Sequence, residues 1–392
     1  MAGNHIPINP VILKWARERA GYTVEQLSVT GKSGFAKFSE WETGVSYPTY
    51  SQLELIAETL HRPIALFFFP APPIEERIEK SLRAMSEEDV ETLSPGIRQL
   101  FRKAKAFQIS LRELWANDTS TQENRISWIQ TLRDTTVSAA KAREFLNIRL
   151  DTQQSWQGSD DALKKWRDLL AEHGIYVFKD AFKNERIAGF CIYDDVYPII
   201  YINNSLAKTR QIFTIFHELA HLIFKQSYLD VFDQKFWRLE SQDPSHIEVK
   251  CNAFAAEFLV PSSDFSRRIR GFEITDATIK QFADHYHVSR EVILRRLFDH
   301  RMIDKTFYEQ KVADWQEAFS QRETEGNAEG GGSYYNSKMA YLGDAYLSLV
   351  LKNYSQGRIG LEEAASHLDV KARSFPEIEE RFLSRGASSV RF

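Results

Sequence analysis

This chain is poor in cysteine and methionine, shows no surplus of one charge, and has no long apolar run. Its 392 residues hold 2 cysteines, Cys191 and Cys251, and 4 methionines. Two distant thiols make neither a disulfide framework nor a structural zinc motif, which suits a reducing compartment, so a cytoplasmic location is expected. Lys and Arg number 50 against 54 Asp and Glu, a net charge of −4. That balance excludes a strongly basic nucleic-acid binder read from bulk charge alone. No stretch approaches the ~18 apolar residues of a membrane span. The start, Met1 to Pro7, lacks a basic segment followed by an apolar one, so neither a secretory leader nor a membrane partner is expected. The length suits roughly 2–4 domains.

Against those absences stands His217-Glu218-Leu219-Ala220-His221, set in an apolar run from Ile212 to Phe224. On a helix, residues four apart share a face, so His217 and His221 can address one ion. Glu218 lies beside them, where a general base would take a proton from the attacking water. A catalytic zinc takes three protein ligands. Glu248 opens a second helical run that stops at Pro261, and it is the candidate third ligand. Asn252, one turn on, can hydrogen-bond the outer nitrogen of a ligating histidine and fix its tautomer. Glu257 is the rival ligand, but it lies about two and a half turns beyond Glu248 at ~3.6 residues per turn and faces the other way. Cys251 reads as a small buried packing residue.

These two motifs, Arg210-x-x-Phe213-Thr214-x-x-His217-Glu218-x-x-His221 and Glu248-x-x-x-Asn252-x-Phe254-Ala255-x-Glu257-x-Leu259-x-Pro261, resemble those of the ImmA/IrrE family of zinc-dependent metallo-endopeptidases. The resemblance covers roughly residues 160–262. It implies a zincin-like (gluzincin) domain with His217, His221 and Glu248 on Zn2+ and Glu218 as the base. Cys251 departs from the family, which often has Glu or Ala there. Strands are expected at Ile175–Phe178, Gly189–Tyr193 and Tyr197–Ile202, with Asp194-Asp195 as a hairpin turn. His246 and Tyr228 are candidates for stabilising the oxyanion.

The first seventy residues have their own pattern of short helices: Pro10–Ala20, Val24–Val29, Phe35–Trp41, Tyr50–Leu60, and a fifth opening at Arg62-Pro63. Ala16-Arg17, Gly21-Tyr22-Thr23, Gln26-Leu27, Trp41-Glu42, Gly44 and Pro48-Thr49 resemble an XRE-type helix-turn-helix domain of the Cro/repressor kind. That resemblance puts the third helix in the major groove, with Lys32, Ser33, Phe35, Ala36 and Lys37 near base edges. Residues 1–62 balance their Lys and Arg against their Glu, so a single copy should hold DNA weakly, and operator binding is expected of a dimer. Phe67-Phe68-Phe69 is expected to pack between this domain and the helices that follow.

The expected fold class is α+β and predominantly helical, with a five-helix N-terminal domain, a zincin-like domain carrying a small β-sheet, and a helical C-terminal region. The boundaries read as 1–70 for the helix-turn-helix domain, 71–158 for a helical connector and 159–265 for the metallopeptidase domain. A helical support segment follows at 266–321, then a flexible linker at 322–333 and a helical tail at 334–392. The support segment carries Arg290, Arg295, Arg296 and Arg301, a cluster able to add DNA affinity. The expected function is a site-specific zinc metallo-endopeptidase that cleaves a repressor or toxin-like partner and binds operator DNA, with no small-molecule cofactor. The alternative is a non-proteolytic antitoxin and transcription regulator that neutralises a toxin, such as a PIN-type nuclease, and autoregulates its operon. On that reading the tail binds the toxin.

Overall fold

The computed structural model describes the chain apart from residues 1–4, 30–34, 75–93, 135–137, 185–186, 226–228, 232–246, 326–332 and 389–392. It forms two compact units, Met1–Lys103 and Ala104–Phe392.

The first unit contains α1 (Pro10–Ala20), α2 (Val24–Val29), α3 (Phe38–Thr43) and α4 (Tyr50–Leu60), then a 3-10 turn at Ile64–Phe68. Local chemistry sets these limits. Asn9 caps α1, Gly21 ends it in the left-handed conformation, and Thr49 with Gln52 forms a capping box on α4. Arg17 Nε donates to Glu42 Oε1 at 2.6 Å and ties α1 to α3. The third helix begins three residues later than expected, because Phe35 turns into the core and packs edge-on against Phe38. The fifth element is the 3-10 turn rather than an α-helix. Of the three phenylalanines at 67–69, Phe67 is buried, while Phe68 and Phe69 stay exposed.

The second unit opens in α5 (Pro95–Leu114), whose first turns belong to the first unit, and continues through α6 (Thr119–Asp134), α7 (Ala139–Phe145), α8 (Leu150–Gln154) and α9 (Gly158–Glu172). Then come β1 (Tyr176–Asp180), β2 (Ile187–Ile192), β3 (Ile199–Asn203), α10 (Lys208–Ile223), β4 (Leu229–Val231) and α11 (Ile247–Leu259). The sheet order is β1-β3-β2-β4, with β1 parallel to β3 and the other pairs antiparallel. The turn through Asp194-Asp195 joins β2 to β3: Asp194 Oδ1 accepts from the Val196 and Tyr197 amides, at 2.9 Å each. After α12 (Ser262–Arg268), α13 (Asp276–Tyr286) and α14 (Arg290–Asp299), α15 (Lys305–Glu325) extends into the stretch expected as linker. The tail forms α16 (Tyr334–Leu342), α17 (Asp344–Ser355), α18 (Leu361–His367) and α19 (Phe375–Ser388).

One hydrophobic core runs from Ile126 on α6 to Val312 on α15. The boundaries expected at 158/159 and 265/266 fall inside it, because connector, sheet, metal-motif helices and support segment bury their apolar faces against one another. The tail is part of the same unit. Tyr346 meets Phe178 at 5.0 Å and Phe107 at 5.7 Å between ring centroids. The Arg167 guanidinium donates to the Val177 carbonyl of β1 and to the Ala340 and Tyr341 carbonyls of α16. No described helix is long and apolar enough to cross a membrane.

Candidate metal centre

Helix α10 is buried on nearly every side, from Gln211 through Ile223. A polar side chain in such a helix needs a polar partner, since burying it alone costs several kcal/mol. His217, Glu218 and His221 are polar groups at its centre, and each is 2% exposed or less. Aromatic packing sets what they face. Phe216 stacks on Phe258 of α11 at 4.2 Å, and Trp166 of α9 stands edge-on to Phe216 at 4.8 Å. With those faces locked, the opposite side of α10 turns its imidazoles toward the start of α11.

There the two histidines and Glu248 converge. His217 Nε2 and His221 Nε2 are 3.0 Å apart. Glu248 Oε2 lies 3.3 Å from His217 Nε2, and Oε1 lies 3.3 Å from His221 Nε2. Among the described residues, these three form the group whose donor atoms all lie within 4.8 Å of one another. Zinc bonds nitrogen and oxygen at about 2.0–2.2 Å, which places neighbouring tetrahedral donors about 3.3 Å apart. The observed triangle has edges of that size, so the residues fit one zinc ion. His217 Nδ1 donates to Asn252 Oδ1 at 2.6 Å. That bond keeps the proton on Nδ1 and the lone pair on Nε2, facing the cluster. Burial alone would raise the Glu248 carboxyl, but hydrogen bonds and charge from His217 and His221 outweigh it and hold the pKa at about 2.

Two further contacts hold α10 in place. Gly189 of β2 passes so close that a Cβ there would lie 2.6 Å from Thr214 Cγ2 and 3.0 Å from the Tyr201 carbonyl. At the other end of α10, Arg133 of α6 donates to the last carbonyls, Leu222 O and Ile223 O, the latter at 2.6 Å. A guanidinium at a helix C-terminus satisfies both the unpaired acceptors and the dipole. Gly189 was expected only as the start of a strand, and Arg133 was not singled out. The signal for Gly189 was present as a glycine inside a strand, which marks close backbone approach.

The other expected sites divide. Glu257, the rival ligand, faces away: Arg296 Nη2 donates to it at 2.8 Å, and so does the Ser262 hydroxyl at 2.6 Å. Cys251 is buried and in no disulfide. Of the base-facing candidates, Lys32 and Ser33 lie outside the described residues, as do His246 and Tyr228. Phe35 is 1% exposed, which corrects its reading as a base-edge residue, while Ala36 and Lys37 are exposed. The support-segment arginines are largely engaged within the protein. Arg296 holds Glu257, Arg295 bonds Asp299 at 2.9 Å, and Arg290 lies 4.6 Å over the Trp315 ring.

Residues 170–298 match the peptidase family described as the IrrE N-terminal-like domain, M78. The matched span contains His217, Glu218, His221, Glu248 and Asn252. It supports the ImmA/IrrE family and, at the family level, a peptidase of the metallopeptidase type. The match reaches neither the N-terminal unit nor the tail. No curated protein matches the chain.

Proposed function

We propose that the chain is a zinc-dependent, site-specific metallo-endopeptidase acting on a protein partner. The observation that carries this reading is the triangle of His217, His221 and Glu248 with Glu218 buried on the same turn of α10. A structural site has no use for that glutamate. A zinc ion held by the three residues supplies Lewis acidity, polarising a peptide carbonyl and acidifying water. Glu218 takes the proton from the attacking water on a carboxylate oxygen and delivers it to the departing amide nitrogen. Asn252 keeps His217 in the tautomer that presents Nε2. Arg133 and the Gly189–Thr214 contact keep α10 from shifting against the sheet. β4 ends the sheet on the side of β2, and an edge strand can receive an extended peptide by backbone pairing.

The partner is a single repressor or toxin-like protein, since unrestrained proteolysis inside a cell is harmful. The N-terminal unit is a helix-turn-helix module that places the operator-facing work on a dimer. Its short α3, the exposed Lys37 and the capped α4 support that role.

The test begins with zinc. Wild-type protein purified without added metal should carry close to one equivalent, lost in His217→Ala. Glu218→Gln should keep zinc and fold while cleavage falls by about 10²–10⁴-fold, the usual worth of a positioned acid–base group. Terminal-peptide profiling of cells expressing wild type or Glu218→Gln reads cleavage without a known substrate. New termini in wild type alone support the peptidase. Bound zinc that is indifferent to His217, or identical termini in both strains, would leave the non-proteolytic antitoxin in its place.

A further inference from the structure

The parallel pair β1 and β3 brings two helix starts together. α9 runs into β1 and α10 runs out of β3, so both helices begin at the carboxyl ends of these strands. The Asn204 amide donates to the Asp180 carbonyl at 2.7 Å and joins those ends. Lys208, the first residue of α10, reaches Asp160 in the first turn of α9, with 3.8 Å between Nζ and Oδ1. The helices are 15 and 16 residues long, and neither N-cap, Gln157 or Ala207, supplies a side-chain cap. Asp161 Oδ2 accepts from the Gln157 amide at 2.9 Å, and Asp160 shares that turn; the remaining first-turn N–H groups of both helices carry the positive end of a helix dipole.

Lys179 points to the same place. It pairs with Ile202 of β3 and shares its sheet face with Val177, and both neighbours belong to the core that packs against α9 and α10. The residue is 8% exposed. Among the described residues, no hydrogen bond or close ion pair engages its ammonium. The charges around it are Arg167, already spent on backbone carbonyls, Lys208 of the same sign, and Asp160, which is 82% exposed. Burial, then Arg167 and Lys208, lowers the Lys179 pKa to about 7, against a weaker opposing pull from Asp160. A lysine with a buried stem, held among cations, gains from a counter-ion at its ammonium.

We propose that Lys179, Lys208 and the starts of α9 and α10 form an oxyanion site for phosphate or a phosphate monoester. Two ammonium groups and two sets of helix N–H groups match a dianion with several oxygens better than a single carboxylate. The site lies at the opposite end of α10 from the Arg133 contact, and it is separate from the metal cluster.

The full-length protein would be titrated with inorganic phosphate and, in a second arm, with glycerol phosphate. Calorimetry and the thermal midpoint would be read at ionic strength matched with chloride. Saturable binding is expected in wild type. Lys179→Met keeps the buried stem without the charge and should weaken binding about tenfold or more, as loss of a charge-assisted hydrogen bond does. Lys208→Gln, at the surface, should weaken it less and cannot be blamed on misfolding. Glu248→Ala should leave it intact. Binding of the monoester as well as phosphate would mean a site open to a larger molecule, and phosphate alone a closed one. No saturable effect beyond chloride, or binding that survives Lys179→Met, would overturn the proposal, as would binding lost in Glu248→Ala.

Discussion

Glu248 and Glu257 sit on one helix, α11, and their surroundings differ in kind. Glu248, near its start, faces two imidazoles whose Nε2 atoms lie 3.0 Å apart. Glu257, near its end, faces a buried arginine and the Ser262 amide and hydroxyl. The second arrangement is complete as it stands, a carboxylate answering a guanidinium and a chain turn. The first gathers donors of electron pairs around a point, which is how a cation site differs from a salt bridge. The same residue type on the same helix thus joins a candidate cation site at one end and a salt bridge at the other, and the facing decides which.

The contrast can be broken at either end. Glu248→Ala removes one of three donors, and zinc affinity should fall by about 100-fold or more, beyond the usual loss for an outer hydrogen-bond partner. Competition with a chromophoric chelator measures this, and the thermal midpoint of the metal-free protein should barely move. Glu257→Ala should do the reverse. It leaves Arg296 buried with a lost partner, at a cost of about 1–3 kcal/mol after allowing for the partial exposure of Glu257. Urea unfolding reads that loss, and zinc stoichiometry should stay at the wild-type value. Swapped outcomes would erase the distinction between the two ends.

A smaller effect sharpens the stability side. Burial pushes the Asp264 carboxyl up, but hydrogen bonds from Tyr286, Arg267 and Arg268 more than offset it and hold its pKa at about 2. A carboxylate depressed in the folded state contributes stability that is present above its unfolded pKa of ~3.9 and lost as pH falls through the folded value. Between about pH 4 and 2 the wild type should therefore lose stability faster than Asp264→Asn, and acid titration followed by circular dichroism would show parallel curves if the network were idle.

The clustering of His217, His221 and Glu248 was legible because its signals are local. His217 and His221 at helical spacing, Glu248 one turn before Asn252, and the stop at Pro261 follow from periodicity and ligand chemistry alone. Three of the four strands were found for the same reason, although β1 continues past Phe178 to Asp180 and β4 was not expected. What escaped depends on distant partners. Helix α6 is polar over much of its length and shows little periodicity, yet it supplies Arg133. Arg296 reads as one of a basic cluster until Glu257 is seen beside it. Phe35 sits among residues read as a surface, and only packing against Phe38 shows it belongs inside. Lys179 follows Val177 by two positions in a strand, so alternation alone would have placed it on the buried face had the strand been carried far enough.

The Arg167 bridge has a consequence for biosynthesis. Its guanidinium joins β1 to carbonyls of Ala340 and Tyr341, so the contact cannot form until the ribosome has made the tail. The metal-motif helices and their aromatic packing are complete in the growing chain well before that. During the interval β1 is a bare sheet edge, the kind of surface that pairs with other chains. Covering that edge falls to α16, whose Ala340 and Tyr341 carbonyls take the Arg167 guanidinium.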